Sequence, residues 1–157
     1  MLFDSPARVV LIGVIAASLE LSAEVSSAED VRDGDTIEIQ GQLACLYGID
    51  AFELSQTCTD ARGTTWRCGV AAKATLATLI QGQVLECLVI EEDPDGCYQS
   101  RCMREDGADL GAYMVRSGLA LAKADAYMAE ETDAMRRRAG AWDGEFLPPW
   151  RWRSAAR

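Results

Sequence analysis

All six cysteines of this 157-residue chain fall between residues 45 and 102, at Cys45, Cys58, Cys68, Cys87, Cys97 and Cys102. An even set in a short exported chain points to disulfides that staple a small core, although six thiols allow about fifteen pairings. Zinc is the competing use of so many thiols. A zinc site favours two close cysteine pairs, and the spacings from 58 to 68 and from 87 to 102 are too wide for that.

Disulfides need an oxidising compartment, and the N-terminus reads as a route to one. Arg8 precedes the apolar run VVLIGVIAAS, and Ser26, Ser27 and Ala28 follow it. This is the arrangement of a secretory signal over residues 1–28 with cleavage after Ala28. The run is shorter than a bilayer span, so no stable membrane span is expected after cleavage. The expected location is periplasmic or secreted. The remainder fits one domain, residues 29–145, with a Pro/Trp/Arg tail over 146–157, and is expected to be a monomer.

Hydrophobic periodicity sets the elements. DTIEIQGQLACLYGI alternates about Gly41 and predicts a two-stranded meander. AAKATLATLI carries Ala72, Leu76, Leu79 and Ile80 at helical spacing, stopped by Gly82. QVLECLVIEE and YQSRCMRE read as strands joined by the turn EDPDG. Asp109 can cap a helix over 110–116, and a last helix is expected over about 127–138. Pro148 and Pro149 make the tail look hostile to helix, with Trp142, Trp150 or Trp152 folding back on the body. Met103, Met114, Met128 and Met135 read as core filler. Short strands with a helix inserted after the third predict an α+β fold, mostly β: a five-stranded OB-type Greek-key barrel with three helices.

The chain has no histidine and a formal net charge of −10. Imidazole is therefore excluded as base or ligand, and hydrolytic chemistry has to rest on carboxylates, thiols, lysines or a hard metal ion. Beyond residue 28 the chain keeps 22 acids against 14 bases, a net charge of −8 that repels nucleic acid at long range.

VRDGDTIEI, then LYGIDAFE, then WRCG before a helix, then DGADLGAYMVRSGLALA resemble the staphylococcal-nuclease (thermonuclease) domain over about Val31 to Trp142. That resemblance implies a calcium-dependent nuclease site. Asp35 and Asp50 would be direct Ca²⁺ ligands, with the backbone carbonyl of Ala51, and Asp33 would stand in the outer shell. Glu53 would occupy the position of the general base that activates water. Hard oxygens of this kind suit calcium.

The resemblance also marks what is missing. The two positions where that family carries phosphate-binding arginines are Cys45 and Cys97, and Phe52 and Asp95 replace a usual proline and tyrosine. A guanidinium fork grips phosphate oxygens and neutralises transition-state charge; a thiol or disulfide does neither. Because those arginines converge on one phosphate, the resemblance implies a Cys45–Cys97 disulfide. Cys58–Cys68 and Cys87–Cys102 are then the local pairs. The expectation is a degenerate nuclease homologue with weak or no phosphodiester hydrolysis. It would act by binding single-stranded DNA or RNA, or an extracytoplasmic protein. The alternative is an active Ca²⁺-dependent endonuclease of DNA or RNA with a substitute cation, for which Lys123, Arg101 and Arg104 are the candidates.

Overall fold

The computed structural model describes residues 24–27 and 30–155. The expected signal lies outside the described residues except for Glu24–Ser27, which form strand β1. It is followed by β2 (Asp30–Val31), β3 (Thr36–Ile39), β4 (Gln42–Leu46), β5 (Ile49–Ala51), β6 (Cys58–Thr59) and β7 (Thr65–Trp66). Then come α1 (Cys68–Ile80), β8 (Val84–Glu92), β9 (Cys97–Arg104), α2 (Leu110–Arg116), β10 (Ala120–Ala122) and α3 (Met128–Arg137). A 3-10 turn at Gly140–Asp143 leads to α4 (Pro149–Ala155).

The fold is α+β and mostly sheet, with two corrections to the expected architecture. The main sheet has six strands in the order β1-β8-β9-β4-β3-β2, and among the described residues it does not close into a barrel. The physical reason is that β5 leaves the sheet. It pairs with β10, Ala51 opposite Ala120, and does not bridge the two edges. The second correction is a fourth helix in the tail. Pro149 occupies the first helical position, where a missing N–H costs nothing, and the Pro148 carbonyl accepts from Arg151 N at 2.9 Å and Trp152 N at 3.0 Å. The proline pair starts a helix here.

Other local signals act as their chemistry dictates. Gly41 turns β3 into β4 at φ 77°, and Gly82 follows α1 at φ 66°. The Asp109 carboxylate caps α2 by accepting from Ala112 N at 3.0 Å. Of the four methionines expected inside, Met114 is fully buried, whereas Met103, Met128 and Met135 are exposed on β9 and α3. α3 is short and polar enough to bury little beyond Ala134.

Two cores result. The larger lies between the sheet and α1 and α2, around Ile37, Leu46, Ala72, Leu76, Leu85, Leu110 and Val115. A smaller one gathers Phe52, Cys58, Cys68 and Ala141, with Trp66 and Phe146 packed against it. Disulfides join Cys45 to Cys97 across the parallel strands β4 and β9, Cys87 to Cys102 across β8 and β9, and Cys58 to Cys68 inside the small core. Such bridges fit an oxidising, extracytoplasmic environment. Among the described residues no helix is long and apolar enough to cross a membrane.

Candidate functional site

The acidic residues singled out above sit on the strands and loops around β3, β4 and β5, and each is held by a local constraint. Gly34, between Asp33 and Asp35, lies so close to α1 and β5 that a Cβ would come within 2.7 Å of the Ala72 side chain and 2.8 Å of Ala51. Only glycine lets the DGD turn approach this closely. Asp33 Oδ1 accepts from the Asp35 backbone N–H at 3.1 Å. Asp35 Oδ2 accepts from Ala51 N at 2.8 Å, and Oδ1 accepts from the Thr36 hydroxyl at 3.1 Å. Burial, then the negative charge of Asp33, push the Asp35 carboxyl up to about 7, against the pull of the Ala51 N–H.

Ala51 is buried at the end of β5, so the residue expected to lend a carbonyl to a metal spends its N–H on Asp35. Asp50 and Glu53 face a different partner. Arg153, from α4, donates through Nη1 to Asp50 Oδ1 at 2.8 Å and to Glu53 Oε1 at 2.6 Å, and through Nη2 to Asp50 Oδ2 at 2.9 Å. The pairing is bidentate on Asp50 and bridges to Glu53. Hydrogen bonding to Asp50 above all, with Glu53 adding to it, holds the guanidinium above its ordinary pKa despite partial desolvation.

Cys45 Sγ lies 3.8 Å from the Thr36 hydroxyl, which donates to Asp35 Oδ1, so the disulfide and the acidic cluster meet at Thr36. The hydrogen bonds of Arg153 go to Asp50 and Glu53.

None of the three substitute cations named from the sequence reaches the carboxylates. Arg101 lies 3.9 Å from Asp109, Arg104 pairs with Asp106 at 2.7 Å, and the Lys123 side chain is exposed. The cation that does reach them is Arg153, to which the sequence analysis gave no role in the site. The available signal was the PPWRWR segment itself: a proline-initiated helix with a basic residue one turn in.

Arg153 is aimed by a scaffold. Thr59 and Glu145 exchange backbone hydrogen bonds at 2.8 and 2.9 Å, stitching the tail to β6. Phe146 packs edge-on against Phe52 at 5.3 Å and against Trp142 at 4.9 Å. The fully buried Gln56 donates to the Leu147 carbonyl at 2.7 Å and accepts from Glu53 N at 3.2 Å. One amide therefore fixes both the tail and the loop that carries Glu53.

As arranged, these donors do not fit calcium. Asp35 has its oxygens turned to Ala51 and Thr36, both Asp50 oxygens hold a guanidinium, and no group of three or more His, Cys, Asp or Glu among the described residues could hold a metal ion.

No family model matches the chain. It is 32% identical over 142 residues to the succinoglycan biosynthesis protein ExoI of Rhizobium meliloti (strain 1021), spanning 83% of this chain and 74% of that protein. The chain belongs to the ExoI family. It is also 26% identical over 134 residues to proteins named uncharacterized endonuclease in Escherichia coli O157:H7 and Escherichia coli, over 78% of this chain and 80% of theirs. These relatives give the ExoI-family chain a nuclease-like kinship.

Proposed function

We propose that this protein is an extracytoplasmic domain of the staphylococcal-nuclease kind that acts by binding, with little or no phosphodiester hydrolysis. The observation that carries this reading is Arg153 closed on both oxygens of Asp50 and on Glu53. A carboxylate saturated by a guanidinium is a poor metal ligand and a poor general base. The Cys45–Cys97 disulfide supports the same reading, because the charge that would receive a scissile phosphate is absent where the resemblance calls for it. Of the two partner classes expected, the net negative charge favours an extracytoplasmic protein over a nucleic acid.

A second reading has its own support: Arg153 is an intact guanidinium beside Glu53, and it could serve an active endonuclease as its substitute cation. Incubation of the oxidised protein with single-stranded DNA, with Ca²⁺ or with EDTA, separates the two. Binding without hydrolysis predicts no calcium-dependent cleavage in the wild type. Robust cleavage that disappears in Glu53→Ala, and falls by about 10² or more in Arg153→Ala, establishes the second reading instead.

A further inference from the structure

Two surfaces outside the acidic site are uncovered, and they are opposite in character. The first is the outer half of the β8–β9 hairpin, where β8 is exposed from Leu88 to Glu92. Leu88, Val89 and Ile90 are consecutive and each is about half exposed. The register shifts between Val89 and Glu91, so Ile90 stands at a bulge without a partner on β9. Residues 84–100 carry five acids, Glu86, Glu91, Glu92, Asp93 and Asp95, and no base. The base opposite Leu88 on β9, Arg101, lies 3.9 Å from Asp109.

The second surface lies where the tail meets the turn after β5. Leu54, Leu147 and Trp150 are exposed there. Gln56 makes them neighbours, because it donates to the Leu147 carbonyl at 2.7 Å and accepts from Glu53 N at 3.2 Å. Gly69 packs so closely on the same turn that a Cβ would come within 3.0 Å of Leu54 Cα, which brings Arg67 to its border. Arg67 and Arg151 are exposed and make no ion pair among the described residues.

We infer that the protein self-associates head to tail, the acidic apolar hairpin of one copy seating on the arginine-flanked Leu54, Leu147 and Trp150 surface of the next. Three consecutive exposed apolar residues near a sheet edge are a liability unless covered, and tryptophan and arginine are the side chains that anchor interfaces. Charge selects the pairing. Hairpin against hairpin opposes carboxylates, tail against tail opposes guanidiniums, and hairpin against tail matches them. A nucleic acid would satisfy the arginines and leave the hairpin bare, whereas a second copy covers both surfaces. Because the two surfaces differ, each docked pair still presents one free hairpin and one free tail, so association continues past the dimer into a chain or a ring. The inference replaces the expected monomer. It does not rest on the binding reading above, since neither surface uses Asp50, Glu53 or Arg153.

The test is sedimentation of the oxidised protein over a concentration series at low and high salt. Wild type is expected to gain mass with concentration beyond the dimer and to lose it in salt. Leu88→Thr/Ile90→Thr removes the hairpin contact, and Trp150→Ala/Arg151→Ala removes the tail contact. These side chains are exposed, so both variants are expected to keep the wild-type unfolding midpoint and to lose self-affinity by roughly tenfold or more. An equimolar mixture is expected to form a one-to-one heterodimer and stop there, because it holds one intact hairpin and one intact tail surface per pair. Should either variant unfold, Glu91→Gln/Glu92→Gln and Arg67→Gln/Arg151→Gln, which only neutralise charge, carry the same expectation. A wild type that stays monomeric at every concentration overturns the inference, and single-stranded DNA titrated into that monomer then shows whether the tail surface takes a nucleic acid instead. Self-association of either variant equal to wild type, or a mixture that stays monomeric, overturns it as well.

Discussion

The segment from β2 to β5 and the small core each supply half of the charged site, and they do so by different means. The first side, from the DGD turn to β5, brings Asp33, Asp35 and Asp50 together within a short stretch of chain, braced by Gly34 against α1 and by the Ala51 N–H. The small-core side brings a single arginine across 103 residues of sequence, through a cascade of Thr59, Phe52 and Gln56 contacts. Clustered acids are cheap to encode locally. The matching cation depends on every anchor between Gly140 and Pro149, so it is the more easily disconnected half.

The largest effect should come from the residue both halves share. Phe52 follows β5 directly, is 1% exposed, and carries Phe146 on its edge. Phe52→Ala is expected to cost about 3–5 kcal/mol in denaturant unfolding and to loosen the tail. A loss near zero would mean that the small core does not stabilise the docked tail.

The first side is sharpened by pH. The Asp35 carboxyl is pushed up to about 7 in the folded protein from its ordinary 3.8. Between those values the folded state holds a proton that the unfolded chain has released. Its contribution is therefore largest at the acidic end and is lost as pH rises from about 4 to about 7. The difference is on the order of a few kcal/mol. Urea unfolding over that range should show the decline in wild type, and Asp35→Asn should flatten it.

The tail side makes a smaller contribution. A double-mutant cycle between Arg153→Ala and Asp50→Asn is expected to give a coupling of about 1 kcal/mol, because the fork is bidentate but partly solvated. The coupling should shrink in high salt. Least of all, Asp133→Ala removes the ion pairs of Asp133 with Arg136 and Arg137 on α3 and should leave the unfolding midpoint unchanged within error, serving as the surface control.

Much of this protein was legible in its sequence because the signals are local. Alternation marked β3, β4, β8 and β9, helical spacing marked α1, and Asp109 marked the start of α2, since propensity, capping and turn chemistry act over a few residues. The acidic triplet and the even set of cysteines were equally visible. The open sheet, the helix that begins at Pro149 and the partner of Asp50 were decided only by the tertiary structure. Whether β5 bridges an edge or pairs with β10 depends on surfaces far apart in the chain. Likewise, an arginine in a tail has no assignable partner until Gln56, Phe52 and Thr59 fix where that tail lies, because charge pairing depends on distance in space and sequence records only order along the chain.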